Sequence, residues 1–392
     1  MSSLSILPWR SRISMRTKVL FVIESLSGGG AEKIISVLLK HIDKTKFDIT
    51  LCTVVDTGVY AEEVKKYVRY TTIIGNPIKK TLWGKLWHYI KYKCVYKFLP
   101  MKWVYQLFVP KNNDVEVAFV EGFTTKLMAA STNRKVKKIA WVHTDLINNH
   151  WINVVYNNES EEKDSYNKYN TVIGVSNVVT NSIQKLYNVK HAITFYNPIE
   201  SDLIKRQSEV PIKLPVKTKS IRMISLGRFV IQKAYDRLLR IVKRLHEEGY
   251  SIELWLLGDG EQHPILENYI QANSLDSIVT LWGFHKNPYP YLKNSDLFVC
   301  SSISEGYSTA VTEALIVGLP VVTTDCSGMS ELLREGKCGL ITENDEEALY
   351  NGIKKCLDNP DILIQYRKEV MLRNKDFEIN QLMSQIEKVL IS

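Results

Sequence analysis

The segment SEGYSTAVTEAL, Ser304 to Leu315, carries two carboxylates, Glu305 and Glu313, with seven residues between them. The run from Ser308 or Thr309 reads as a helix start, which leaves Glu305 in a loop and places Glu313 inside the helix. If the intervening residues were all helical, eight steps of ~1.5 Å would set the acids roughly 12 Å apart. A hydrolase's two carboxylates lie at about 5 to 9.5 Å and must face one bond. Glu305 and Glu313 fit an extended ligand touched at two points, with helix amides between them open to negative charge. In ISLGRFVIQKAYDRLL, Arg228 follows a strand and Lys233 stands near a helix start. A bidentate Arg and a point-charge Lys there suit a diphosphate. Gly28, Gly29 and Gly30 also sit between a strand and a helix that begins near Ala31, so backbone amides can approach an anion closely. Their spacing is neither GxGxxG nor the GK[ST] of a P-loop, which argues against hydride transfer and ATP hydrolysis. Plain alternatives stand beside each reading. The glycines could serve only a tight turn, the cations a solvated surface, and Glu313 an exposed helix face. The apolar neighbours Val311, Ala314, Leu315 and Val317 speak against the last of these.

These residues need rigid elements to hold them. The runs KVLFVIE, FDITLCTVV, VEVAFVEG, KIAWVH, TVIGVS and AITFYN alternate with helical-period segments. After a proline-punctuated polar stretch the pattern restarts with IRMISLG, IELWLLG, SIVTLWG, DLFVC and PVVTTD. Continuous apolar strands separated by helices mark parallel sheets covered on both faces. The expectation is an α/β protein of two Rossmann-like, doubly wound domains facing a central cleft, with ligands beyond the carboxyl ends of the strands. Residues 17–200 form the first domain, 201–220 a linker and 221–375 the second domain. Residues 376–392 form a C-terminal helix expected to pack back on the first domain, and residues 1–16 read as a disordered tail.

Composition narrows the partners. The 392 residues are 45% hydrophobic and 24% charged, an ordinary globular balance with chain enough for two cores. No apolar stretch reaches the ~20 residues of a membrane-spanning helix, and Arg10 and Arg12 follow the N-terminal apolar residues, the wrong order for a secretory signal. Six cysteines without metal-ligand spacing suit free thiols in a reducing cytosol, with a Cys326–Cys338 bridge as the lesser alternative. The net charge of +9 is uneven: residues 1–200 carry +12 and residues 201–392 carry −3. From Val64 to Asn113 there is no acid, and residues 79–111 hold eight lysines and nine aromatics. Trp83, Leu86, Trp87, Ile90, Cys94 and Phe98 share one face at helical spacing. That pattern suits an anionic membrane surface, or else a helix packed on the sheet with its lysines merely solvated. No nucleic-acid-binding module is recognisable.

The sequence EGYSTAVTEA resembles the Glu-x7-Glu signature of the retaining glycosyltransferases of family GT4, which have the two-domain GT-B fold. SLSGGGAEK is similar to that family's first glycine turn, GRFVIQKAYDRLL to its Arg and Lys phosphate segment, LLGDGE to its second-domain turn and FYNPI to its linker motif. With AWVHTD and SGMSELL these run in the family's order from residue 19 to about 340. The resemblance implies that Glu305 binds hydroxyls of the transferred sugar, Glu313 the nucleotide ribose, and Arg228 with Lys233 the diphosphate. It implies further that amides of Tyr307, Ser308 and Thr309 and the Gly28–Gly30 loop complete the phosphate cradle, that Gly283 and Phe284 lie near the base, and that His143 sits near donor sugar and acceptor. Many relatives carry glycine or proline where this chain has Ser308.

The implied activity is that of a hexosyltransferase that needs no metal or other cofactor, with a nucleoside diphosphate sugar, a UDP-sugar in the first instance, as donor. The implied acceptor is an oligosaccharide or lipid-linked saccharide of bacterial capsule, exopolysaccharide or lipopolysaccharide assembly. Its place would be cytoplasmic, peripheral on the inner face of the membrane. A nucleotide-sugar epimerase or a catalytically silent binding subunit are the rival readings. The Glu305 and Glu313 arrangement favours transfer over the first, and the joint presence of Glu305, Glu313, Arg228, Lys233 and His143 disfavours the second.

Overall fold

The structure is a computed structural model that describes residues 16–27, 29–75, 82–215 and 221–391. Gly28, Lys79, Lys80 and the expected tail up to residue 15 lie outside the described residues.

The first sheet contains β1 (Thr17–Ile23), β2 (Phe47–Val55), β3 (Arg69–Ile74), β4 (Val115–Phe119), β5 (Lys137–Val142), β6 (Thr171–Gly174) and β7 (Ala192–Thr194). Their order is β3-β2-β1-β4-β5-β6-β7 and every pairing is parallel. The second sheet contains β8 (Ile221–Leu226), β9 (Ile252–Leu257), β10 (Val279–Gly283), β11 (Leu297–Cys300), β12 (Val321–Thr324) and β13 (Gly339–Thr342), in the parallel order β10-β9-β8-β11-β12-β13. Central strands are buried on both faces, as Val19 to Ile23 are in β1, which is why they read as unbroken apolar runs. β3 and β13 were not among the expected strands. Both lie at a sheet edge, where RYTTII and GLIT are only half-buried and the apolar run is diluted.

Strand order reverses between β1 and β4 and again between β8 and β11. These are the two switch points at which crevices open beyond the strand ends. The helix Gly30–His41 leaves the first switch point and buries Ile34, Ile35, Leu38 and Leu39 on the sheet. Its last turn is tied to the domain junction, where Lys40 Nζ and His41 Nε2 reach Glu200 Oε1 at 2.8 and 2.9 Å.

The segment expected as a linker begins with a helix, Ser201–Ser208, which buries Ile204 and receives a hydrogen bond from Asn287 of the second domain at the carbonyl of Gln207. The C-terminal helix Ile379–Ile391 returns to the first domain. Glu387 accepts from the Asp43 amide and from Lys46 Nζ, both at 2.9 Å, and Lys137 Nζ donates to the carbonyl of Val389. All six cysteines are free, Cys326 and Cys338 included.

The basic aromatic stretch forms a helix Leu82–Lys93, a π turn Cys94–Phe98 and a second helix Met101–Phe108. It is anchored by buried Val95, Val104 and Tyr105, while the Tyr96 ring packs at a tilt against Phe123, centres 4.5 Å apart, and its hydroxyl donates to Glu24. The amphipathic face is not packed on the sheet. Trp83, Leu86, Trp87, Ile90 and Phe98 are exposed, Trp83 by 73% and Trp87 by 70%, and Cys94 is half-buried. Among the described residues, no helix is long and apolar enough to cross a membrane.

Candidate functional site at the domain cleft

The carboxyl ends of β1, β5, β8, β10 and β11 converge on a cleft of about 550 Å³ between the sheets. From the first domain it is lined by Gly29, Gly30, Lys33 and His143. The second domain contributes Arg228, Lys233, Phe284, Glu305, Tyr307, Thr309 and Glu313. Gly283 and Ser308 stand just behind this lining. Gly283 ends β10 with φ +71°, a turn conformation that suits glycine, and thereby sends the 62% exposed Phe284 side chain forward. Ser308 is 3% exposed and caps the helix Thr309–Ile316, its hydroxyl accepting from the Val311 amide at 3.4 Å.

The two carboxylates are held by different lysines. Glu305 Oε1 pairs with Lys233 Nζ at 2.5 Å and accepts from Ser302 Oγ at 2.7 Å. Lys233 is placed by the turn Ile231–Lys233, whose carbonyls accept from Ser301 Oγ and the Ile303 amide, so the loops after β8 and β11 are laced together. Glu313, 3% exposed, pairs with Lys33 Nζ from the first domain, and Tyr289 OH lies 2.9 Å from the same ammonium. Burial by itself would lower the pKa of either lysine; the facing carboxylate outweighs it, and both ammonium groups are held above the ordinary lysine value. Arg228 is exposed at the cleft, and its guanidinium has no hydrogen-bond partner among the described residues. Glu305 and Glu313 thus have separate lysine partners, one from each domain.

Two helix starts meet beside these carboxylates. A side chain at Gly30, the first residue of its helix, would come within 3.3 Å of Thr309 Oγ1, at the first residue of the other. The free amides of two helix N-termini therefore share one space, a favourable place for phosphate. At Gly29 an added Cβ would meet the carboxylate of Glu32, which folds back over the turn. Burial raises the pKa of Glu32, and the Arg228 charge opposes that rise.

His143 follows β5. Its ring lies 4.8 Å from Phe119, its amide donates to the buried Glu121 at 2.8 Å, and burial pushes its pKa down to about 3. The ring is therefore neutral near pH 7, and its buried Nε2 lacks a hydrogen-bond partner among the described residues. A Cβ on Gly306 would collide with the His143 carbonyl, so Gly306 lets the two domains touch at this point. Ser327 Oγ donating to Asp145 at 2.6 Å, and Asn197 Nδ2 donating to the Tyr307 carbonyl at 3.3 Å, close the same seam.

Sequence reading missed Lys33, Tyr289, Ser302 and Gly306. For Lys33 a signal existed: it is three residues past Gly30 and so shares that residue's side of the helix.

Comparisons with known proteins bear on the second domain and on the fold. Residues 220–359 match the family described as Glycosyl transferases group 1. The chain is 28% identical to the N-acetylgalactosamine-N,N'-diacetylbacillosaminyl-diphospho-undecaprenol 4-alpha-N-acetylgalactosaminyltransferase of Campylobacter jejuni, over 91% of this chain and 94% of that one. It is 26% identical to the glycosyltransferase MJ1059 of Methanocaldococcus jannaschii, over 76% of this chain and 83% of the relative. Anabaena HepE, solved with UDP and glucose, superposes with a TM-score of 0.72 at 18% identity, covering 96% of this chain and 100% of that one. Residues 220–359 thus match a group 1 glycosyl transferase domain on the sheet that carries Glu305 and Glu313, and the two-sheet likeness running through the rest gives the chain the GT-B fold.

Proposed function

We propose that this protein is a retaining glycosyltransferase that moves a hexose or N-acetylhexosamine from a UDP-sugar to a lipid-linked saccharide in bacterial cell-surface polysaccharide assembly. The observation that carries the reading is the cleft itself, where Glu305 and Glu313 flank two facing helix N-termini with Arg228 and Lys233 alongside. The HepE structures with UDP and with UDP-glucose support the choice of donor, and the diphospho-undecaprenol acceptor in the name of the Campylobacter relative supports the choice of acceptor.

In this reading Glu313 takes the ribose hydroxyls, Glu305 takes hydroxyls of the sugar, and Phe284 lies beside the base. As the bond from sugar to diphosphate breaks, negative charge grows on the leaving phosphate oxygens. Arg228, Lys233 and the amides at Gly30 and Thr309 are fixed in advance to receive it. The acceptor hydroxyl then attacks the oxocarbenium-like sugar from the face the diphosphate leaves, and its proton passes to the departing phosphate oxygen. His143, neutral by burial, can hydrogen-bond a hydroxyl without adding charge beside that cation. Binding and hydrolysis of UDP- and GDP-sugars, followed by transfer to an undecaprenyl-diphosphate-linked saccharide, test the assignment. Failure to bind every donor of such a panel would overturn it.

With fixed cations and helix ends neutralising the leaving group, turnover should continue in excess chelator, and a strict Mn²⁺ or Mg²⁺ requirement would defeat this account. The exposed face of residues 83–107, acid-free and flanked by Lys85, Lys91, Lys97 and Lys102, is assigned to an anionic membrane surface. Trp83→Ala with Trp87→Ala should weaken sedimentation with phosphatidylglycerol vesicles about tenfold or more, and Lys97→Glu with Lys102→Glu should add to the loss. Undiminished binding by all four changes together would remove the membrane from the proposal.

A further inference from the structure

We propose that Lys33 is a positioning residue for the donor: reaching across the cleft from the first domain, it holds one oxygen of Glu313 and leaves the other for the hydroxyls of the nucleoside. The proposal rests on the reading of the ligand as a nucleoside diphosphate sugar and adds to it a residue from the opposite domain.

Lys33 stands in the first turn of the helix Gly30–His41, and Glu313 is 280 residues away in the helix Thr309–Ile316. Lys33 Nζ pairs with Glu313 Oε1, donates to Tyr289 OH at 2.9 Å, and lies 5.3 Å from the centre of the Tyr289 ring. Tyr289 OH is itself 3.5 Å from the same Oε1. Both polar contacts therefore fall on Oε1. Oε2 takes no hydrogen bond from the described residues, although Glu313 lines the cleft.

A carboxylate with only 3% of its surface exposed is costly as an ion unless a counter-charge accompanies it. Lys33 supplies that charge, and Tyr289, 5% exposed, fixes where the ammonium sits. An ionised carboxylate pinned at one oxygen offers the other as a directional acceptor, which a vicinal diol can meet with charge-assisted hydrogen bonds. Because the clasp and the carboxylate come from different domains, diol recognition is complete only when the two sheets stand close together. Donor affinity and domain approach are thereby one equilibrium.

The test compares UDP with 2′,3′-dideoxy-UDP, which lacks the diol, by calorimetry. Wild-type protein should prefer UDP. Lys33→Met should weaken UDP binding about tenfold while leaving the dideoxy ligand within about twofold, so that the preference collapses. Lys33→Arg should restore most of it. In a Glu313→Gln background Lys33→Met should add less than about twofold. Tyr289→Phe, a milder change, should shift the preference the same way, and thermal melts identify any variant that has lost its fold. Equal weakening of both nucleotides by Lys33→Met and Tyr289→Phe would mean that the lysine only supports the structure, and unchanged UDP binding by Lys33→Met would mean that it does nothing; either overturns the proposal alone. Wild-type protein that binds neither nucleotide would overturn the donor reading and the proposal with it.

Discussion

Glu305→Gln is expected to leave both sheets folded and to lower transfer on the order of a hundredfold. Glutamine keeps an oxygen where Lys233 Nζ and Ser302 Oγ now meet Glu305 Oε1, so the local hydrogen bonds survive. In the proposed role, what would disappear is the negative charge beside a sugar that becomes cationic, together with one charge-assisted contact to a hydroxyl. A contact of that kind contributes about 1.5–3 kcal/mol, and the upper end corresponds to the hundredfold loss. Glu305→Ala removes more but tests less, because it also strips the partner from an ammonium whose side chain is only 21% exposed. Hydrolysis of the donor and full transfer should fall together, while the affinity for UDP, which lacks the sugar, should change little. Wild-type turnover by Glu305→Gln would end the role assigned to this carboxylate.

What could be read beforehand follows a physical division. Local patterns were legible: the apolar runs of β1, β8 and β11, the helix start near Ala31, and the helix start at Ser308, where a serine hydroxyl caps its own helix. Edge strands β3 and β13 were not, since half-buried residues carry no continuous run. The separation of Glu305 from Glu313 was legible, but their lysine partners lie 72 and 280 residues away in sequence. No periodicity reports such pairings, because strand order and domain approach create them. The stretch from Trp83 to Phe98 had the spacing of an amphipathic helix, which fits a core or an outer surface equally well. Its exposure is decided by what the neighbouring sheet leaves uncovered. Gly306 gave no signal at all, since a close approach between domains leaves no mark on local sequence beyond a glycine.

That glycine carries the second large effect. Gly306→Ala should lower both UDP affinity and turnover, with a combined loss on the order of a hundredfold. The added methyl would be driven into the carbonyl of His143, a backbone atom that cannot rotate away, and overpacking of this kind costs about 1–3 kcal/mol. Relief must come from moving a whole loop. On one side the carbonyl follows β5, whose loop is tied by the His143 amide to Glu121 and by Asp145 to Ser327. On the other, Gly306 lies next to Glu305 and three residues before the helix start at Thr309. Displacing either loop pulls the two helix N-termini apart and lengthens the reach from Lys33 to Glu313, so donor binding should suffer even though no donor contact has been deleted. Two glycines calibrate the result. Gly75→Ala, whose Cβ would sit 3.6 Å from Thr72 Cγ2 in ordinary contact, should be neutral. Gly30→Ala, 3.3 Å from Thr309 Oγ1, should show a smaller loss of the same kind. If Gly306→Ala bound UDP and turned over like the wild type, the seam at His143 would not govern the site, and domain approach would have to be set elsewhere.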